Sequence, residues 1–232
     1  MSNRLIITID GPAGTGKSTV SKMLATRLTA LYLDTGALYR AVALKALDRG
    51  IPPGDAEAIA ALCDTTEISC MTDHDGIRIL VNGDDVSDRI RTEEVSLAAS
   101  KVSALPAVRR FLLPIQRHIA DMCSIIAEGR DMGTVVFPHA DVKFYLDADE
   151  TERARRRHHQ LCGEGVKADF DEVKKGLTVR DRQDSGRAIA PLKPSDDAVI
   201  IDSTTLKAEE VVEVMIARIQ RHLLENQNNS KV

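Results

Sequence analysis

The stretch Gly11-Pro12-Ala13-Gly14-Thr15-Gly16-Lys17-Ser18 constrains this chain more than any other. It follows the short apolar run Leu5-Ile6-Ile7-Thr8-Ile9, which reads as a buried central strand. After it, Val20, Met23, Leu24 and Leu28 fall on one face of an amphipathic helix. The order strand, glycine-rich loop, helix is the P-loop pattern, and the same glycines in an isolated turn would not carry that reading. The glycines let the backbone turn several N–H groups onto one anion, to which the helix adds its positive end. Gly11 to Thr19 is thus expected to cradle the phosphates of a nucleoside triphosphate such as ATP. Lys17 would reach the β- and γ-phosphates, and the Ser18 hydroxyl would ligate Mg²⁺.

A parallel sheet needs further buried strands, and the chain supplies them. Leu31–Asp34, Ser124–Glu128, Asp141–Asp147 and Ala198–Asp202 are short apolar runs separated by helical patterns. The helix after the second strand spans Ala37 to Arg49, with Asp34 or Thr35 as its cap; Asp55 to Leu62 is a short helix. Between Glu67 and Val86 the apolar residues alternate with polar ones around Asp73-His74-Asp75-Gly76 and Asn82-Gly83, which predicts a small antiparallel meander. A helix follows, capped by Asp88 or Thr92. Pro106 opens another, which Pro114 should kink. The last helix carries Val211, Val212, Met215, Ile216 and Ile219, and Glu225 to Val232 reads as a frayed polar tail. The expected fold class is α/β: a five-stranded parallel sheet with helices on both faces, plus an antiparallel β insertion and a helical lid. One domain, residues 1–232, should contain the insertion at 63–104 and the lid at 151–190.

Of the 232 residues 43% are hydrophobic but only 3% aromatic, so aliphatic side chains must fill the core. The net charge of -4 argues against a nucleic-acid partner and requires any basic site to be local. No apolar run reaches membrane-spanning length and no secretory leader is apparent, so a cytoplasmic monomer without membrane contact is expected. Cys63, Cys70, Cys123 and Cys162 contain no C-x-x-C pair and read as reduced thiols. His158, His159 and Cys162 share a helical turn, yet lack the paired cysteines of structural zinc, so no such metal is expected.

Basic residues concentrate where phosphate would be handled. Arg40 and Arg130 follow strands; Arg153, Arg155, Arg156, Arg157, Arg180, Arg182 and Arg187 lie in the charged segment that could close over the site. Phosphoryl transfer needs donor and acceptor charge neutralised and water excluded. No N-K-x-D motif occurs, which argues against a GTP switch. Glu128 or Asp131 could stand behind the metal.

Three stretches then resemble one family. Asp34-Thr35-Gly36-Ala37-Leu38-Tyr39-Arg40, Gly129-Arg130-Asp131-Met132-Gly133-Thr134-Val135-Val136-Phe137-Pro138 and Arg180-Asp181-Arg182-Gln183-Asp184-Ser185-Gly186-Arg187 look like bacterial cytidylate kinases. With the P-loop and Asp202-Ser203-Thr204-Thr205, the resemblance runs from about Ile6 to Leu224. It implies transfer of the ATP γ-phosphoryl group to CMP, and to dCMP, with Mg²⁺. By position, Ser100, Arg109 and Asp131 resemble the cytosine-reading residues; Arg40, Arg130 and Arg187 resemble the acceptor-phosphate clamp. Arg180 and Asp184 resemble the sugar-contacting pair, Thr35 lies beside the acceptor, and Arg156 is one candidate for ATP contact. Lys17, Arg130 and Arg187 would carry catalysis. No general base is required, because a monophosphate oxygen is already a nucleophile. The competing readings are a P-loop kinase for UMP, AMP or a non-nucleotide acceptor, and a nucleotide-binding regulator without turnover.

Overall fold

The computed structural model describes residues 4–73 and 76–229. Strand β1 (Ile6–Asp10) leads through the glycine loop into α1 (Lys17–Leu28), then β2 (Leu31–Asp34) and α2 (Thr35–Asp48). Helix α2 begins directly where β2 ends. The cap is Asp34, whose carboxylate accepts from Ala37 N at 3.2 Å, while Thr35 is the first helical residue.

Helix α3 (Ala56–Asp64), capped by Asp55, precedes the antiparallel meander β3 (Ile68–Asp73), β4 (Gly76–Val81) and β5 (Asp84–Asp85). The expected turn at His74-Asp75 lies outside the described residues. A single 3₁₀ turn at Arg89–Arg91 enters α4 (Glu93–Val102), whose cap is Thr92 rather than Asp88. Helix α5 (Pro106–Ala120) runs unbroken through Pro114.

Strand β6 (Ile125–Gly129) is followed by a π-helical turn at Met132–Val136, then β7 (Val142–Asp147), α6 (Glu150–Gly163), α7 (Phe170–Ser185), β8 (Val199–Asp202) and α8 (Ala208–Asn229). The charged segment is thus two helices, parted at Gly165, which has a φ of 78°. Helix α8 continues through most of the tail expected to fray; residues 230–232 lie outside the described ones.

The main sheet has the order β2-β6-β1-β7-β8, every pairing parallel. Alternation along β1 sorts the layers. Ile7 and Ile9 turn toward α1 and α8, where they join Val20, Leu24, Phe144, Leu146, Val211 and Met215. On the opposite side, Ile125 and Ala127 of β6 pack with Leu33, Ile119 and Met132. A further apolar cluster unites α2 with α3, β4, α4 and α5, and so fixes the antiparallel insertion to the parallel core.

That second face is not wholly apolar. Thr8, Asp10 and Lys143 are buried on it. The Met132–Val136 turn lies over this strip, and Gly133 comes so close that an added Cβ would stand 3.1 Å from Thr8 Oγ1. A buried polar strip at the carboxyl ends of parallel strands is where such sheets bind ligands.

Candidate active site

The glycine loop takes backbone angles that its glycines permit. Gly11 has a φ of 148°, and a Cβ there would meet Leu146 O at 2.0 Å; Gly14 has a φ of 80° and would meet Arg153 O at 2.8 Å. The loop is therefore wedged between the end of β7 and the first turn of α6. Lys17 is buried, and its Nζ donates to the loop carbonyl of Pro12. Burial, together with the nearby Arg130 guanidinium, lowers its pKa to about 7, against the pull of Glu128 and Asp10.

One turn on, the Ser18 hydroxyl donates to Glu128 Oε1 at 2.7 Å, and Tyr32 OH donates to the same oxygen. Glu128 is raised above the ordinary carboxylate range by burial and by Asp34, while Lys17 opposes the shift. Its other oxygen, Oε2, is buried without a hydrogen-bond partner. Asp131, the alternative metal-side carboxylate, pairs instead with Arg109, and the two are 3% and 9% exposed. Arg109 also donates to Ser103 O at 3.0 Å and lies over the Tyr39 ring.

Between these two carboxylates sits a cluster of guanidiniums. Arg130 Nε donates to Asp184 Oδ2 at 2.8 Å, and Arg187 donates to Asp184 Oδ1 and, at 2.9 Å, to Ser103 Oγ. Burial alone would raise Asp184, but Arg130, Arg187 and Arg180 outweigh it and hold the carboxyl below its usual value. Arg180 is lowered to about 10, by burial first and then by Arg130, Arg40 and Arg157. Arg40, Arg180 and Arg187 each bury an Nε–H with no acceptor. Arg40 reaches Asp34 at 2.6 Å, and Thr35 Oγ1 donates to Glu128 O at 2.7 Å.

A profile of the cytidylate kinase family matches residues 7–221. The chain belongs to the cytidylate kinase family. Relatives agree along nearly their whole length. A cytidylate kinase of Pasteurella multocida is 47% identical over 96% of this chain and 98% of its own. One of Geobacter sulfurreducens is 49% identical over 91% of each chain. One of Vibrio cholerae is 44% identical over 96% of this chain and 99% of its own. Among solved structures, a gluconokinase from Sinorhizobium meliloti superposes with a TM-score of 0.50 at 15% identity, covering 98% of both chains, which speaks to the fold alone.

Within this family member the residues singled out by sequence fall into two groups. Gly11 to Thr19 form the loop and first turn of α1, while Arg40 of α2, Arg130 just after β6, Arg180 and Asp184 of α7 and Arg187 just after α7 converge. Arg109 and Asp131 meet as a pair, whereas Ser100 Oγ faces Gln183 Oε1 at 3.3 Å across α4 and α7. Arg156 is engaged by backbone: Thr15 O at 3.3 Å, Ser203 O at 2.6 Å and Thr204 O at 3.3 Å. His158 bonds Ala168 O at 3.0 Å and lies edge-on to Phe170, where α6 passes into α7.

Two side chains here carried no signal in the sequence, and a third, Arg153, was marked only as one of the arginine run. Arg153 donates to Ala13 O at 3.1 Å, to Ala148 O at 3.0 Å and to Asp181, joining α6 and α7 to the glycine loop. Tyr32 supports Glu128. Asp10, the last residue of β1, accepts from Met132 N and Gly133 N, both at 2.8 Å. Arg153 looked like any other member of the arginine run, and Asp10 like the end of a strand.

Proposed function

We propose that this chain transfers the γ-phosphoryl group of ATP to CMP, and also to dCMP, giving ADP and the diphosphate. The observation that carries the proposal is the set of buried Nε–H donors on Arg40, Arg180 and Arg187, crowded around Arg130. A buried N–H that lacks an acceptor is costly, and an acceptor phosphate would bring oxygens to these three and negative charge to the crowded guanidiniums.

The donor side is Gly11 to Thr19. Here Lys17 exchanges the Pro12 carbonyl for the β- and γ-phosphates, and Arg156 secures the loop from behind. Arg130 and Arg187 bridge acceptor and transferring phosphoryl group, with Arg40 and Arg180 completing the clamp. Neutralising these oxygens and holding them in line is the main catalytic contribution, since the CMP phosphate attacks without a protein base.

Asp131 takes the cytosine amine proton, and Arg109 donates to the ring acceptors. Uracil reverses that polarity and would leave buried partners unpaired. Ser100 completes the base pocket from α4, with Thr35 beside the acceptor and Asp184 toward the sugar. Residues 63–104 act as the monophosphate-binding insertion and 151–190 as the lid.

Mg²⁺ suits the oxygens present: the Ser18 hydroxyl as ligand, and Glu128, with its unpartnered buried oxygen, behind it. When bound with ATP, the ion supplies charge neutralisation on the donor phosphates. Among the described residues no helix is long and apolar enough to cross a membrane. A cytoplasmic monomer without nucleic acid remains part of the proposal.

The test is ADP release by purified protein with CMP, dCMP, UMP and AMP as acceptors. CMP and dCMP should be used with the highest kcat/KM. Comparable use of AMP or UMP would defeat the base-reading assignment, and binding without turnover would defeat the enzyme.

A further inference from the structure

Asp10 stands at a junction that no step above uses. It closes β1 immediately before the glycine loop begins, it is 4% exposed, and both of its carboxylate oxygens are taken. Oδ1 accepts from Met132 N and Oδ2 from Gly133 N, each at 2.8 Å. These amides open the π-helical turn that starts just after Arg130 and Asp131. The partners are 122 and 123 residues away in the chain. The turn lies close on the sheet: a Cβ at Gly133 would stand 3.1 Å from Thr8 Oγ1, 3.2 Å from Lys143 Cδ and 3.3 Å from Ser195 Oγ.

We propose that Asp10 is a positioning residue: its carboxylate tethers the acceptor-reading turn bearing Arg130 and Asp131 to the strand from which the donor loop springs. This rests on the acceptor reading of those two residues given above. The geometry favours a carboxylate specifically. Two adjacent N–H donors converge on two oxygens of one group, and an amide side chain would present its own N–H₂ to one of them.

The charges around Asp10 support a group under tension. Asp131 on the turn repels it and Lys17 from α1 attracts it, with Tyr145 its register partner on β7 and Lys143 beneath Gly133. Burial raises its pKa to about 6, and the two amide bonds and Lys17 only partly oppose that rise. The carboxylate is therefore held charged at neutral pH against its own desolvation, for the sake of the two amides.

Two measurements on the whole chain test this. In the unaltered protein, the Met132 and Gly133 amide resonances should shift together between pH 4.5 and 7.5, with one apparent pKa above the ordinary carboxylate range. Amides that stay still while the Asp10 carboxyl carbon itself titrates would overturn the tether. In Asp10→Asn, the KM for the acceptor should rise roughly tenfold or more and kcat should fall, while the KM for ATP changes little. Equal losses for both nucleotides, or none, would make Asp10 part of the scaffold and overturn the proposal. The split is read on whichever acceptor the enzyme turns over, so a failure of the CMP assignment stays distinguishable from a failure of the tether.

Discussion

The Ser18 hydroxyl and the Glu128 carboxylate meet at 2.7 Å, although 110 residues separate them. The first belongs to the start of α1 and the second to β6, the strand beside β1. Parallel pairing of β1 with β6 sets Asp10 opposite Gly129, so the two strand ends finish level and their following residues share one crevice. Replacing Glu128 by Gln removes the negative charge that we propose stands behind Mg²⁺, while keeping the hydrogen-bond acceptor. Affinity for Mn²⁺ in the presence of ATP, followed by electron paramagnetic resonance, should drop about 10–100-fold. Unchanged metal affinity would show that Glu128 serves Ser18 and Tyr32 only.

Lys17 should change protonation when ATP binds. Its pKa near 7 means that much of it is neutral above that pH, and triphosphate charge will restore the ammonium. Proton uptake on ATP binding is therefore expected at pH 8 and should fade below about pH 6. Calorimetry in buffers of different ionisation enthalpy measures it directly. Lys17→Ala should abolish the uptake and lower kcat by roughly 10²–10³-fold or more.

Asp131→Asn leaves the Arg109 guanidinium buried without its counter-charge. Breaking such a pair costs on the order of 3–5 kcal/mol, so denaturant unfolding should reveal a clear loss of stability. In the folded fraction, use of CMP should suffer more than ATP affinity, and the preference for CMP over UMP should narrow. Equal effects on both nucleotides would remove Asp131 from base reading.

Asp184 holds the guanidiniums of Arg130 and Arg187 together. Its folded pKa lies below the unfolded value, so its contribution to stability is present above about pH 4, the ordinary aspartate value, and disappears as the pH falls through the folded value. Asp184→Asn removes that acid-side dependence and leaves Arg130, Arg180 and Arg187 to repel one another. Its melting temperature should fall at neutral pH. Added CMP should recover part of the loss, because ligand binding to the folded state supplies the missing negative charge.

Gly14→Ala tests the contact between α6 and the glycine loop. A Cβ there meets Arg153 O at 2.8 Å and imposes a side chain on a residue with a φ of 80°. The loop or α6 must yield, so ATP affinity and kcat should both fall while the KM for the acceptor changes less. An active, unstrained variant would mean that Arg153 can move away freely.

Much of the architecture was open to inspection because it repeats locally. Five apolar runs alternate with amphipathic helices, and each predicted strand forms within a residue or so of its expected bounds. The meander was visible in the spacing of Ile77, Ile79 and Val81, broken only by Leu80, and in the Asn82-Gly83 turn signal. Capping was legible only as a choice between neighbours: Asp34 rather than Thr35, and Thr92 rather than Asp88. Either side chain can satisfy a first-turn N–H, and where the preceding strand or turn ends decides between them.

The sequence by itself determined the glycine loop, since the glycines, Lys17 and Ser18 are contiguous and the motif needs only a strand before and a helix after. It also determined that basic side chains would gather on the later segments. Tertiary structure alone decided which carboxylate answers which donor. Asp131 goes to Arg109, Glu128 to Ser18 and Tyr32, Asp184 to Arg130 and Arg187, and Asp10 to two backbone amides. Most of these pairings span long stretches of chain and follow from strand order and register, which set the side chains within reach of one another. Once buried together, each charge must find a partner, because leaving one without costs more than any local preference along the chain supplies.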